Sequence, residues 1–143
     1  MSVAAVTVIA LAVMTPVDTD KRTELIDITG QLQNIVSQSK IKDGICFVFS
    51  PHTTAGLTIN ENADPDVKSD IINTLNKLIP ENSGYAHSEG NSDSHAKSSL
   101  FGASLSIFVE ENKLVLGTWQ AVYFCESDGP RRREVWVKFM REK

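Results

Sequence analysis

The stretch "SPHTTAGLTINENADPDV", Ser50 to Val67, puts one His, three Thr, two Asn, one Glu and two Asp directly behind the apolar run "ICFVFS". The chain has three histidines, His52, His87 and His95. Each lies in or beside a polar segment, and none lies on a periodic apolar face. A neutral imidazole offers one donor and one acceptor, or a nitrogen ligand for a metal. His52, His87 and His95 together with Glu61 would suit a divalent metal with one open position. The spacing holds no H-E-x-x-H and no C-x-x-C, so the alternative of solvated loop histidines stays open.

A second constellation points to anions. Thr53 and Thr54 carry hydroxyls, and Ser88, Gly90, Asn91 and Ser92 precede an expected helix. Free N–H groups and the partial positive charge of a helix N-terminus attract phosphates, and Lys97 and Arg131 could add full charges. The glycine spacing and Gly-Lys pair of a P-loop are missing, so a plain surface loop is the competing reading. In "LGTWQAVYF", Gly117 suggests a bulge or close backbone approach, and Trp119 is expected in the core. Gln120, flanked by apolar residues, is expected to be buried, either tying two backbone segments or facing a ligand; a buried amide left unpaired costs roughly 1–3 kcal/mol.

The surrounding elements must hold these groups. Val3 to Met14 is apolar at odd and even positions, as in a strand covered on both faces. Thr23–Thr29 reads as a strand. Thr29 is then a plausible N-cap for a helix to about Ser39 with Leu32, Ile35 and Val36 on one face. Ile45–Ser50 and Gly56–Asn60 read as strands. Asp64-Pro65 starts a second helix, with Val67, Ile71, Leu75 and Leu78 on one face and Pro80 at its end. After a polar segment from Glu81 to Ser94, a short helix is expected over His95–Leu100 with Gly102 as its stop. Leu105–Val109 and Lys113–Leu116 flank the turn "EEN"; Ala121–Cys125 and Glu134–Phe139 flank "ESDGPRRR". The order implies one α+β domain over residues 1–143, with helices covering mainly antiparallel sheets.

At 143 residues and formal net charge −4, such a domain can bury roughly 68–70% of its unfolded surface. No basic stripe interleaved with aromatics argues for nucleic acid. Arg131-Arg132-Arg133 reads either as a solvated turn or as an anion contact. The two cysteines, Cys46 and Cys125, fall in apolar strands and are expected as buried free thiols, not a disulfide scaffold. "MSVAAVTVIALAVM" lacks the basic flank and cleavage site of a signal peptide and is too short to span a bilayer. No membrane partner and a cytoplasmic location are therefore expected.

The segments "DITGQLQNIV", "HTTAGLTINENADPDVKSDI", "YAHSEGNSDSHAKSSLFG" and "LGTWQAVYFCESDGPRRREVWVKF", in this order, resemble the YjbQ-like family. The resemblance covers nearly the whole chain from about Lys21. Ser127 stands where that pattern has an aromatic, which bears on packing near Arg131. The resemblance implies sheets packed face to face, two or three covering helices, a homotrimer, and one pocket shared by the His-Thr-Thr strand end, the Asn/His loop and the Gln strand. It also implies a thiamine-phosphate synthase activity, joining hydroxymethylpyrimidine pyrophosphate to thiazole phosphate. His52, His95 and Glu61 would then be catalytic. Thr53, Thr54, Gly90, Asn91, Lys97, Gln120 and Arg131 would bind the phosphorylated substrate. His52, His87 and His95 would hold a divalent metal, Mg²⁺ or Zn²⁺; Glu61, Asp64 and Glu89 are the candidate carboxylates for Mg²⁺. A non-catalytic trimer binding a small anion or metal, and a metal-assisted hydrolase, remain the alternatives.

Overall fold

A computed structural model describes residues 7–142. Eleven elements follow in order: β1 (Thr7–Asp18), β2 (Glu24–Asp27), α1 (Thr29–Ser39), β3 (Gly44–Phe49), β4 (Ala55–Glu61), α2 (Pro65–Leu78), α3 (Ser92–Phe101), β5 (Ser104–Glu110), β6 (Lys113–Leu114), β7 (Gln120–Glu126) and β8 (Arg132–Arg141). The fold is α+β. One antiparallel sheet has the order β1-β8-β3-β5-β6 and the other β2-β7-β4.

Period-two alternation explains how the layers meet. Cys46 and Val48 of β3, Ile107 and Val109 of β5, and Val135, Val137 and Phe139 of β8 turn inward from the larger sheet. Leu57 of β4 with Val122 and Phe124 of β7 turn inward from the smaller one. Helix α1 adds Leu32, Ile35 and Val36 to the same core. Asn112, in the positive-φ turn Glu111–Asn112 between β5 and β6, pins the end of α1: its Nδ2 donates to the carbonyls of Val36 (3.0 Å) and Ile41 (2.6 Å). Both cysteines are buried free thiols, as expected. Burial pushes Cys46 up to about 12 and raises Cys125 as well.

Several boundaries differ from the sequence reading. Strand β1 runs on through Pro16 to Asp18, because it is an edge strand and proline is tolerated there. Its expected first residues, 3–6, lie outside the described ones. Thr29 does not cap α1. Its Oγ1 accepts from the Val122 N–H (2.9 Å), and its own N–H donates to Asp27 Oδ1 (2.9 Å). Asp64 does cap α2, accepting from the Asp66 N–H at 2.9 Å. Helix α3 starts at Ser92, three residues earlier than expected. Arg132 and Arg133 belong to β8 and not to a turn.

The Gly-Thr-Trp-Gln segment is corrected more fully. Gly117 sits in a turn and not in a bulged strand: Gln120 N–H donates to Gly117 O (3.0 Å), and Gly117 N–H donates to Gln120 Oε1 (2.8 Å). Gln120 is exposed, and Trp119 is 64% exposed instead of filling the core. The apolar face of α2 is likewise not core. No residue of α2 is buried, and Leu78 is 71% exposed. No helix among the described residues is long and apolar enough to cross a membrane.

Candidate functional site

Where β7 and β8 converge, the core gives way to a buried polar network. Glu126, the last residue of β7, is buried between the sheets, so its charge must be matched locally. Arg133 supplies a two-pronged partner, with Nη2 on Oε1 at 2.6 Å and Nε on Oε2 at 2.8 Å. The N–H groups of Ser127 (3.0 Å) and Asp128 (2.9 Å) and the Thr19 hydroxyl (3.0 Å) complete the shell. Burial alone would raise the Glu126 carboxyl; these donors, Arg133 foremost, outweigh it and hold the group below the ordinary range. Thr54, just before β4, accepts from Arg133 Nη2 at 2.9 Å. The predicted Thr54 is thus a buried ligand of this arginine, while Thr53 beside it is exposed.

A second carboxylate, Asp128, continues the network. Its Oδ2 accepts from Asn91 Nδ2 (2.9 Å) and Arg131 Nη2 (3.0 Å), and Arg22 Nη1 lies 3.5 Å from Oδ1. Burial opposes its charge, and the bonds from Asn91 and Arg131 prevail, so it too is held low. Arg131, expected on a phosphate, is therefore engaged with Asp128, whose carbonyl also accepts from its Nε at 2.8 Å.

Helix α3 leaves this network with three differently occupied faces. Ser94 and Ser98 turn to the smaller sheet, donating to the carbonyls of Ser127 and Ala55. Strand β4 can take the helix this closely because Gly56 is bare; a Cβ there would lie 2.7 Å from the Gly102 carbonyl. Asp93 and Lys97, one turn apart, pair at 3.1 Å on a second face. Lys97 is buried, its Nζ also donating to Asn76 Oδ1 at 2.8 Å. Near the third face His95 meets His87, their rings edge to face with centroids 5.5 Å apart. His87 Nε2 lies 3.6 Å from the exposed Glu89 carboxylate. Gly90, at φ 77°, makes the turn into the helix that a side-chain residue would resist. Asn91 N-caps α3 by position but gives its side chain to Asp128. Its Oδ1 and the Ser127 hydroxyl are both buried with no hydrogen-bond partner among the described residues.

His52 is held elsewhere, on β8. Its Nε2 lies 3.1 Å from the Glu134 N–H and 3.0 Å from the Glu134 carbonyl. It accepts from the first as the Nδ1–H tautomer, or donates to the second when Nε2 is protonated. Burial against Phe124 and the nearby Arg133 charge lower its pKa, which favours the neutral ring.

The expected constellation therefore divides within one chain. Asn91, Arg131 and Thr54 join one network. His87 and His95 pair beside it, and Lys97 turns to another face of the same helix. Glu61 and Gln120 stand opposite each other at the far end of β4, whose near end pairs Ala55 with Glu126. Six strand steps separate those ends by about 20 Å. Glu61 and Gln120 thus cannot touch a small ligand held by His95 or Asn91 of the same chain. Asp64 is a helix cap. Among the described residues no three His, Cys, Asp or Glu side chains are placed to hold a metal ion. The residues of one chain do not fit the expected metal, and no step is derived through one.

The sequence reading missed Arg22, Asp93, Glu126 and Asp128, and it did not find the carboxylate partner of Arg133. Asp93 and Lys97 do carry a signal, the i,i+4 spacing of an ion pair. Glu126-Ser127-Asp128 against Arg131 to Arg133 is a charge-complementary pair of segments on the two sides of the predicted turn, a signal the reading did not use.

The comparisons agree with this architecture. A family model described as "UPF0047 protein YjbQ-like" matches residues 14–142. A UPF0047 protein of Methanocaldococcus jannaschii is 57% identical over 127 residues, covering 89% of this chain and 92% of its own. The UPF0047 protein YugU of Bacillus subtilis is 48% identical over 125 residues, covering 87% and 95%. A crystal structure of a YjbQ/UPF0047 protein from Clostridium acetobutylicum superposes with TM-score 0.87 at 50% identity, covering 89% of this chain and 98% of that one. A protein of unknown function from Sulfolobus solfataricus reaches TM-score 0.89 at 33% identity, covering 96% and 100%. The chain belongs to the YjbQ-like (UPF0047) family.

Proposed function

We propose that the chain is a thiamine-phosphate synthase-like transferase whose site lies at the α3 N-terminus and is completed by a neighbouring copy in a homotrimer. The observation that carries this reading is the His87–His95 pair beside the Gly90–Asn91 turn, where buried Asn91 Oδ1 and Ser127 Oγ have no partner among the described residues. In the reaction the bond from the pyrimidine methylene to pyrophosphate oxygen breaks, and a bond from the thiazole nitrogen to that methylene forms. Negative charge grows on the leaving oxygens. The partial positive charge of the α3 N-terminus and an imidazole N–H of His87 or His95 would meet it. His52, held neutral on Glu134, is a candidate acid or positioning group. Thr53 and Gln120 are candidate substrate contacts, and Glu61 a candidate carboxylate, supplied by the second copy.

The trimer rests on two apolar surfaces of different shape. On the outer face of the larger sheet, Met14, Trp136 and Phe49 are neighbours across β1, β8 and β3; the Phe49 and Trp136 rings are 5.6 Å apart. Between α2 and α3, Val67, Ile71, Leu75, Leu100 and Phe101 line an apolar cleft of about 420 Å³. A head-to-tail contact that seats one surface on the other closes a ring of copies.

A non-catalytic anion binder is the second reading, favoured by the Gly90–Asn91 turn that leads into the N-terminus of α3. Pyrophosphate release from the two substrates, with and without added Mg²⁺, separates the two. Turnover that falls on the order of a hundredfold in His95→Ala supports the transferase. Binding without turnover under every condition supports the binder.

A further inference from the structure

We propose that a separate cleft, between α3 and α2, is a binding site for a small oxyanion, a carboxylate or a phosphate. The cleft measures about 450 Å³ and is lined by Arg22, Asn76, Glu81, Asp93 and Lys97, with Thr23 at its edge. It is not the His87–His95 site. On a helix His95 projects about 200° round from Asp93 and about 160° from Lys97.

The charges in the cleft balance, Arg22 and Lys97 against Asp93 and Glu81, but the two carboxylates are held very differently. Asp93 is wholly buried and faces two cations, Arg22 Nη2 on Oδ1 at 2.9 Å and Lys97 Nζ on Oδ2 at 3.1 Å. One carboxylate thus balances two positive groups where water scarcely reaches Lys97. Asp128, within 3.5 Å of Arg22, is already shared with Arg131 and Asn91. The remaining charge is met only by Glu81, which is exposed and lies 3.5 Å from Arg22 Nε. That is well beyond the roughly 2.7–2.9 Å of a strong charge-assisted bond. Glu81 is a loosely held stand-in for an anion.

The donors suit an oxyanion in the position that Glu81 holds loosely. Asn76 accepts from Lys97 through Oδ1, which leaves its NH₂ free to donate. Arg22 can turn its Nε–H from Glu81 to an incoming oxyanion, and Thr23 lines the same space. An incoming carboxylate or phosphate that displaces Glu81 exchanges one long contact for several short ones.

The test is calorimetric titration of the intact oligomer in low-chloride buffer, once with inorganic phosphate and once with malonate. Saturable binding of either is expected, and the preferred probe tells phosphate from carboxylate as the source. Glu81→Gln removes the internal competitor and should tighten binding roughly two- to fivefold. Asn76→Asp can still accept from Lys97, so it should melt like the parent. It sets a third carboxylate in the cleft, beside Asp93 and Glu81, and should weaken binding roughly tenfold or more. His95→Ala should leave this binding unchanged, whatever it does to turnover. Absence of binding to both probes overturns the proposal. So does binding that is insensitive to Glu81→Gln and Asn76→Asp, or that disappears in His95→Ala.

Discussion

Helix α1 sets Leu32, Ile35 and Val36 at helical spacing and buries all three between the sheets; α2 sets Val67, Ile71 and Leu75 at similar spacing and buries none. The sequence pattern is nearly the same. The surroundings differ because α1 closes the gap between two sheets, whereas α2 lies on the outside of the smaller one. There Ile71 and Ile72 pack only partly against Leu25, Ala121 and Tyr123. An amphipathic stripe states that a face will be covered and not by what. For α1 the cover is the chain's own core. For α2 we propose that it is another copy.

Substitutions can break that comparison in order of expected size. Arg133→Met should cost the most, about 3–5 kcal/mol, because it strands the buried Glu126 charge. Chemical denaturation of the variant measures it, and a cost below about 1 kcal/mol would show that the network contributes little. Leu32→Ala on α1 should cost about 2–5 kcal/mol through lost burial and a cavity. Leu75→Ala, which the sequence pattern equates with it, should cost clearly less, since Leu75 is only half-buried in an open cleft. Leu75→Asp sharpens the contrast: if the proposed trimer forms through α2, light scattering should show a monomer mass for this variant, with a folded circular-dichroism spectrum retained. A trimer that survives Leu75→Asp removes α2 from the interface.

The pH dependence is a smaller effect with a definite sign. Glu126 and Asp128 have lowered pKa values, so their contribution is present above the ordinary carboxylate value of about 4 and lost as pH falls through the folded values. His52 is also lowered, from 6.5. The unfolded chain therefore takes up its proton first, and its contribution is full above that value and fades as pH falls below it. Melting temperature should thus be flat above about pH 7, decline gently below 6.5 and steeply below 4. His52→Gln should remove the gentle step alone. The smallest change belongs to His95→Ala, whose stability should stay within about 0.5–1 kcal/mol of the parent because the residue packs into no core. A melt as low as that of Leu32→Ala would make His95 a structural residue.

Much of the fold was legible in the chain because local rules were strong where the core is strong. Apolar runs marked β3 and β7, alternation marked β4, a turn signal separated β7 from β8, and Asp64-Pro65 marked the start of α2. The polar outliers were also legible as outliers, and His87 with His95 does form a pair. What sequence could not give was the partner of each charge. Lys97, Arg131 and Arg133 looked like free cations for a ligand. The turn joining β7 to β8 and the i,i+4 geometry of α3 hand each one a carboxylate. Gln120 looked buried because its neighbours in the chain are apolar, yet it begins β7 at the rim, where its amide serves a local turn. The sequence by itself determined where most strands and helices lie and which faces are apolar, since propensity and period act over a few residues. It did not determine which strands pair, for β7 and β8 flank one turn yet join different sheets. Only the tertiary structure decided which end of β4 each candidate occupies and which charges neutralise one another. Those distances depend on how two sheets and a helix stack, and apart from the i,i+4 pair Asp93–Lys97 no spacing along the chain encodes them.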